Sequence, residues 1–288
     1  CIFQKKILIL HQNTTLHHTM QSNKQYQEHQ VQEGIYIPQP AMDYPQDNPF
    51  ERTLFPTFDR ELAIDEHYPY LNDSPAHLRR IRWAYPIILK TGLNILLHVK
   101  MGLRIRGREV LKKYKREFAN GAITIANHVY RLDCPCVLLA VKAKNTTRIP
   151  MFAPNFRTKD NFFLNVVGGV PIPDSTTNMS ALKKFNEAFD EYNRRGWWFH
   201  IFPEACRWDM YKPLRSFQKG AFTMSYKYNK PLLPCVITFR ERKGIFRLFG
   251  PKELPLLTVT IGEPIFPDTT QPRKTEVERL RQVAHSQM

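Results

Sequence analysis

Short apolar runs rich in β-branched and aromatic residues alternate with longer segments of helical periodicity along this chain. Because continuous apolar stretches of this length are typical of buried strands, they predict strands over residues 122–126, 149–153, 197–202, 233–239 and 257–261. Apolar residues spaced three and four apart predict helices over 180–193 and 217–228. The alternation predicts an α/β fold, with a mostly parallel central sheet flanked by helices.

A further apolar run, over residues 83–99, is interleaved with basic residues. It spans 17 residues and is interrupted by Pro86, Lys90 and Gly92, whereas a helix that crosses a membrane needs about 20 mostly apolar residues. Residues 78–116 contain twelve Lys and Arg against the single Glu109. This pattern predicts an N-terminal interfacial helical segment that binds anionic lipids. The alternative is an ordinary amphipathic helix packed on the core.

Two polar blocks follow two of the predicted strands. Asn127, His128 and Asp133 come after the first strand, and a Phe-Pro-Glu sequence followed by Arg207 comes after the third. Since α/β proteins place their chemistry at the carboxyl ends of parallel strands, the two blocks predict a common cleft.

The spacing of His128 and Asp133 constrains their geometry. Residues five apart on a regular helix are rotated by about 140° from each other, so the two side chains cannot meet if both are helical. We therefore expect His128 in the loop before a helix, and Asp133 in its first turns near the positive end of the helix dipole. Asp133 can then accept the Nδ1 proton and leave Nε2 as a general base. Taken alone, a histidine before a helix is more often structural or solvated.

The ordered set of blocks resembles the glycerophosphate and lysophosphatidate acyltransferases, including the tafazzin-like members. Their first motif, Asn-His-x-x-x-x-Asp, is met by Asn127, His128 and Asp133. Four of the six positions of their third motif, Phe-Pro-Glu-Gly-Thr-Arg, are met between Phe202 and Arg207. Residues 219–222, 233–237 and 259–265 resemble later blocks of the family, in the same order. The resemblance covers roughly residues 83 to 266.

The chain departs from the family pattern at two places that concern the substrate. The second motif, Gly-x-x-Phe-Ile-x-Arg, corresponds to residues 168–174, which lack the arginine; Arg157 and Lys159 are nearby cations. Ala205 and Cys206 replace Gly-Thr of the third motif, which removes a hydroxyl and changes the backbone freedom of the turn. The acceptor is therefore less constrained than the reaction class.

The resemblance implies an acyltransferase that moves a fatty acyl group from acyl-CoA or acyl carrier protein to a lysophospholipid hydroxyl. The expected acceptor is 1-acylglycerol 3-phosphate, which gives phosphatidic acid. No metal and no cofactor beyond the thioester co-substrate are expected. His128 is the expected base and Asp133 its orienting partner. The expected substrate-binding residues are Asn127, Glu204, Arg207, Gly168, Gly169 and Lys219.

Several of these assignments have a structural alternative. The planar guanidinium of Arg207 matches phosphate oxygens, so we assign it to the acceptor phosphate, with Glu204 orienting it or bonding an acceptor hydroxyl. The same pair could instead form an ion pair that pins the turn. Gly168 and Gly169 would let the backbone approach the substrate, or would form only a tight turn.

Composition divides the chain into four parts. Residues 1–77 form a polar, partly disordered extension, 78–116 the membrane-associating segment, 117–266 the catalytic domain, and 267–288 a loop and terminal helix. The chain opens on Cys1, so Met20 is a candidate start, and no apolar stretch predicts a signal peptide. We expect a membrane-associated protein at the cytoplasmic face.

The cysteines agree with a reducing compartment. The five of them are odd in number and show no zinc spacing, which argues against a disulfide framework. Cys206 beside the candidate site could be a nucleophile, although a small buried thiol in place of Thr is the preferred interpretation.

Two other classes of function remain open. A net charge of +16 and a pI near 9.7 suggest a nucleic-acid-binding protein. However, the charge is interleaved with aliphatic residues and no groove-reading motif is present, so no nucleic-acid partner is expected. The missing second-motif arginine also allows a catalytically weak membrane scaffold.

Overall fold

A computed structural model describes residues 64–156, 161–173, 178–250 and 254–288. Most of the predicted polar extension, together with Arg157, Lys159 and Asp174, lies outside these residues. The part of the extension that is described, residues 64–74, packs against the body of the protein. There the buried Tyr70 accepts a hydrogen bond through its carbonyl from Tyr192 Oη, at 2.6 Å.

The strands within the described residues are β1 Arg104–Arg106, β2 Ile123–Ala126, β3 Thr147–Phe152, β4 Gly169–Ile172, β5 Trp198–Ile201, β6 Leu232–Arg240 and β7 Leu256–Ile261. They form one sheet in the order β1-β7-β6-β2-β5-β3-β4. Strands β6, β2, β5, β3 and β4 run parallel, whereas β7 is antiparallel to β6 and β1 is parallel to β7. The predicted α/β fold with a mostly parallel sheet is confirmed.

The two strands that the apolar pattern does not predict, β1 and β4, are the two edges of the sheet. Strand β1 reads Arg-Ile-Arg, and β4 contains Gly169 and Pro171. Edge strands are covered less completely than central ones, so they lack a continuous apolar run, and an edge tolerates a proline that cannot donate to the ladder. The weak signal at both positions therefore follows from their place in the sheet.

The helices are α1 Pro75–Tyr85, α2 Glu109–Lys113, α3 Asp133–Ala140, α4 Phe162–Val167, α5 Met179–Arg194, α6 Gly220–Tyr228 and α7 Arg273–Gln287. Helices α1 and α3 bury apolar residues in a core on one face of the sheet, and α5, α6 and α7 bury theirs on the other. The predicted helix over 217–228 begins only at Gly220, because residues 203–219 form an irregular loop.

Helix α1 continues without a break to residue 100, and we call the whole segment 75–100 the basic helix. It widens to π-helical turns over Pro86–Leu93 and Leu96–Lys100. Its inner face is formed by residues four apart: Ile81, Tyr85, Leu89, Leu93 and Leu97. In a regular α-helix such a spacing drifts by about 40° per step, and the wider π turns offset that drift.

The outer face of the basic helix exposes apolar side chains, among them Trp83, Ile87 and Ile95. The segment therefore packs on the core through one face and presents apolar surface on the other. Within the described part of the chain, no helix is both long enough and apolar enough to cross a membrane.

Candidate active site

The two polar blocks meet at one edge of the sheet. His128 follows the carboxyl end of β2, and Glu204 follows that of the neighbouring parallel strand β5. Because parallel strands end at the same edge, the topology brings the blocks side by side, as the sequence predicts.

His128 and Asp133 form the contact that their spacing predicts. Asp133 is the first residue of α3, and its Oδ2 lies 2.6 Å from His128 Nδ1. The carboxylate is buried and also accepts from the backbone amides of Val129, Tyr130 and Cys134, at 3.2, 3.3 and 2.7 Å. These bonds fix the carboxylate, which in turn orients the imidazole so that Nδ1 faces inward.

The imidazole of His128 is held on a second side by an aromatic ring. Phe202 stacks on it with a centroid separation of 4.0 Å and an interplanar angle of 13°. The His128 side chain keeps 22% of its surface exposed. The ring is thus fixed in direction and still reachable by a substrate.

Glu204 is fully buried, and its partner is Arg215 rather than the predicted Arg207. Its Oε1 accepts from Arg215 N at 3.0 Å, and its Oε2 accepts from Arg215 Nη2 at 3.1 Å and from His128 N at 2.8 Å. The ion pair predicted to pin this turn is present, but with a different cation. A buried carboxylate requires such a complete set of partners, because an unpaired buried charge is strongly destabilising.

Arg215 is the main residue that the sequence analysis missed. Its guanidinium also donates to the carbonyl oxygen and the Sγ of Cys206, and lies 4.5 Å from the ring centroid of Trp208. It stands eleven residues after Glu204, in a loop without periodicity. No local pattern in the sequence indicates this partner.

Arg207 lies on a segment that is bonded to the histidine loop. Trp208 N donates to His128 O at 3.1 Å, and Met210 N donates to Val129 O at 2.7 Å. Arg207 Nε lies 2.8 Å from Asp209 Oδ1, and the Arg207 side chain is partly exposed. Burial raises the pKa of Asp209, although Arg207 opposes that rise. The loop that carries the assigned base, just before the helix that starts at Asp133, is therefore held by hydrogen bonds to the loop that carries the assigned anchor.

Asn127 has a structural task that the sequence did not indicate. Its buried amide donates to Ile237 O at 3.0 Å and accepts from Ile237 N at 2.8 Å. The side chain thus ties the end of β2 to β6, and both ends of its amide are occupied by backbone. Its assignment as a substrate-binding group stays a prediction.

Gly168 and Gly169 do not lie with His128, which corrects the expectation that they line the same cleft. Gly168 ends α4 in the left-handed region, at φ 91, where an added Cβ would lie 2.1 Å from Thr147 O. Gly169 begins β4, at the end of the strand opposite to the candidate site. The glycine pair therefore forms a tight turn, and it lines a separate cavity of about 710 Å³ with Arg148.

Lys219 is exposed and occupies the N-cap position of α6. The backbone amide of the preceding Gln218 donates to Pro203 O at 2.7 Å, so Lys219 lies close to the Phe-Pro-Glu turn in space. Its role in binding a substrate stays a prediction.

The structure shows how Ala205 and Cys206, which replace Gly-Thr of the family's third motif, are accommodated in the turn. Ala205 adopts φ 64, in the left-handed region that glycine occupies without steric cost. Cys206 is buried, packs against Trp208 and Tyr211, and receives the Arg215 bond on its sulfur. These contacts favour a small buried thiol over an exposed nucleophile.

A second histidine, His200 on β5, is fully buried behind the site. Its Nδ1 lies 2.9 Å from Thr124 Oγ1, which donates to Phe199 O, so Nδ1 is the protonated nitrogen. Among the residues that the structure describes, its Nε2 has no hydrogen-bond partner. Burial lowers the pKa of His200 to about 4, with a smaller lowering by His128 and an opposing effect of Asp133. His200 is therefore neutral at physiological pH.

The fold places a paired histidine and aspartate at the carboxyl ends of parallel strands, an arrangement that suits acid–base chemistry. Residues 102–238 match the model of the acyltransferase family, so this part of the chain carries an acyltransferase domain. It is an acyltransferase, in agreement with the resemblance of its motifs.

A solved structure, the 1-acyl-sn-glycerophosphate (LPA) acyltransferase PlsC from Thermotoga maritima, is similar to this chain at 20% sequence identity. The alignment covers 77% of this chain and 86% of that one, with a TM-score of 0.46. No curated protein sequence matches the chain.

Replacing Ala205 by Gly should stabilise the protein by about 0.5 to 1 kcal/mol. Glycine relieves the strain of the left-handed backbone, and this gain exceeds the cost of the extra entropy that glycine gives the unfolded chain. Urea unfolding followed by circular dichroism measures the difference. Ala188→Gly, in the middle of α5, is the matched control and should destabilise by about 1 kcal/mol or more. A destabilised Ala205→Gly variant would contradict the role given to this backbone angle.

Stability should fall as the pH is lowered from 6.5 towards 4 because of His200. In this window the unfolded chain binds a proton that the folded chain excludes, so each pH unit costs about 1.4 kcal/mol. Between pH 7 and pH 5 the contribution is about 2 kcal/mol. His200→Asn cannot be protonated and should lose about that much less between these two pH values in urea titrations. Parallel pH curves for the two proteins would show that His200 is not the titrating group.

Proposed function

We propose that this protein transfers a fatty acyl group from a thioester to the free hydroxyl of a lysophospholipid, most simply 1-acylglycerol 3-phosphate, to form phosphatidic acid. The observation that carries the proposal is the 2.6 Å contact between His128 Nδ1 and Asp133, beside the loop that carries Arg207. A base and an anion-binding side chain on adjoining loops suit an alcohol that bears a phosphate.

His128 acts as the general base through Nε2. Asp133 holds the Nδ1 proton and stabilises the imidazolium that forms when Nε2 takes a second proton. Phe202 stacks on the imidazole and keeps its orientation fixed during this proton transfer. No serine or cysteine nucleophile is needed, because the acceptor hydroxyl itself attacks.

The acyl group moves in a direct displacement. As the hydroxyl oxygen bonds to the thioester carbonyl carbon, His128 removes the hydroxyl proton and a tetrahedral intermediate forms. Its collapse breaks the carbon–sulfur bond, and the imidazolium returns the proton to the leaving thiolate. The products are the ester and the free thiol of coenzyme A or acyl carrier protein, with no net change in the enzyme.

Arg207 anchors the acceptor phosphate. Its side chain is partly exposed, and its planar fork of donors matches the oxygens of a phosphate. Arg215 cannot serve this purpose, because it is buried and committed to Glu204 and Cys206. Of the two arginines, only Arg207 suits a ligand that arrives from outside.

The acceptor is presented by a membrane. The basic helix combines exposed Trp83, Ile87 and Ile95 with cations, a composition that suits the headgroup region of an anionic leaflet at the cytoplasmic face. A nucleic-acid partner has no comparable support, since the exposed side chains between the cations are largely aliphatic.

The direct test supplies the purified protein with labelled acyl-CoA or acyl carrier protein and a panel of lysophospholipids in mixed vesicles. Labelled phosphatidic acid as the major product supports the proposal. Turnover of another lysophospholipid alone would redefine the acceptor, and absence of turnover with every pair would favour the scaffold alternative.

His128→Ala should lower kcat by about a thousandfold or more, because it removes the imidazole that takes the hydroxyl proton. Asp133→Asn should lower kcat while leaving KM nearly unchanged, because it misorients the imidazole without touching the substrate. The matched control is His285→Ala, an exposed histidine on α7, which should keep wild-type activity. A His128→Ala enzyme with the wild-type rate would remove the mechanism.

Arg207→Met should weaken the preference for a phosphate-bearing acceptor over an uncharged monoacylglycerol by roughly 10- to 100-fold, the worth of one charge-assisted contact. The change should appear in KM for lysophosphatidate and not in KM for the thioester. Arg207→Lys should retain part of the preference, because it keeps the charge and loses the fork. An equal loss for both acceptors would instead assign Arg207 a purely structural role.

A further inference from the structure

A turn far from the basic helix in sequence also exposes apolar side chains. Residues Gly244–Phe249 form a 3₁₀ turn after β6, which we call the apolar turn. Leu248 is 81% exposed and Ile245 is 66% exposed, with Phe249 beside them. Large apolar side chains grouped at this exposure mark a surface that meets a non-aqueous partner.

The apolar turn is fixed to the body of the protein. Arg242 at its base is buried and donates to Phe246 O, Leu254 O and Lys100 O, at 2.6, 2.7 and 2.8 Å. The Phe246 ring packs on Gly102, where an added Cβ would lie 3.1 Å from it. The exposed side chains are therefore held outward by a rigid base.

The Lys100 bond joins the apolar turn to the end of the basic helix. That end exposes Ile95, Leu96 and Val99. The two elements, about 145 residues apart in the chain, thus combine their apolar side chains on one surface.

The charges on this surface are almost all positive. Lys90, Lys100, Lys243 and Arg247 are exposed, and Glu241 pairs with Lys243 at 2.6 Å. Cations among exposed aliphatic side chains complement an anionic bilayer, where the apolar groups enter the acyl boundary and the cations meet headgroups.

The surface lies at the reactive edge of the sheet. Strand β6 is parallel to β2, so the apolar turn, which follows β6, leaves the sheet at the edge where His128 follows β2. Strand β1 runs in the opposite direction and therefore begins at that same edge, directly after the basic helix. Tyr130, two residues after His128, also donates to Met101 Sδ, at 3.7 Å.

We propose that the apolar turn is a second membrane-inserting element, which together with the basic helix docks the reactive edge against an anionic bilayer. The inference rests on the proposed function, because a lipid acceptor is what gives this docking a purpose. It assigns the turn, and Leu248 and Ile245 in particular, to the lipid interface.

The test is co-sedimentation of the full chain with vesicles of phosphatidylcholine, with and without phosphatidylglycerol. Wild-type protein should bind the anionic vesicles more tightly. The double variant Ile245→Gln/Leu248→Gln should bind them roughly tenfold more weakly, because two side chains lose most of their transfer into the apolar phase. Thermal unfolding of the variant should match wild type, since both residues are largely exposed.

Phe266→Gln is the matched control. Phe266 is 43% exposed, close to the 40% of Phe249, but it lies at the opposite edge of the sheet, because the neighbouring Ile265 pairs with Leu232 at the start of β6. This variant should bind vesicles as wild type does. Equal binding by wild type and the double variant would overturn the proposal, and so would a wild-type protein that does not bind anionic vesicles.

A second measurement separates the docking from the acyl transfer. With a short-chain, water-soluble acceptor and thioester, the double variant should turn over at the wild-type rate, whereas on vesicles it should be slower. Turn-dependent binding by a protein that acylates neither acceptor would refute the proposed function and leave the docking in place. Acylation together with unchanged binding would refute the docking alone.

Discussion

The buried carboxylate of Glu204 holds the two halves of the site together. It accepts from the backbone of His128 after β2 and from Arg215, which stands at the far end of its own loop. Without it, the Phe-Pro-Glu turn and the histidine loop would have no common charged centre, and the buried Arg215 guanidinium would lose its carboxylate partner. The position of the imidazole relative to Arg207 therefore depends on a group that need not touch a substrate.

A division between buried and exposed charges runs through the site. Asp133, Glu204 and Arg215 are buried and bonded to residues of the neighbouring loops, so they fix the geometry of the site. His128 and Arg207 keep part of their side chains accessible, so they can meet a ligand. A rigid buried frame that leaves two accessible groups is what preorganised acid–base chemistry requires, because little reorganisation remains when the substrate arrives.

Sequence reasoning succeeded where the signal is local. The five central strands have continuous apolar runs, and the spacing of His128 and Asp133 fixes their geometry within a single loop and helix start. It failed where the partner of a side chain is distant in sequence, and where the end of a strand at which a residue lies determines its role. Nothing near Asn127 indicates that its amide will bond Ile237, 110 residues away, and nothing near Glu204 selects Arg215 over Arg207. The glycine pair was misplaced because motif order does not reveal which end of β4 it occupies.

The direction of β1 has a consequence for how a lipid would reach the site. Strand β1 begins and β6 ends at the reactive edge, so the basic helix and the apolar turn, which we propose to face lipid, both flank the imidazole. Docked in this way, the enzyme would meet its acceptor by diffusion within the leaflet, and its product would stay there. Its rate would then follow the mole fraction of acceptor in the surface, and adding inert lipid would slow it at constant bulk concentration.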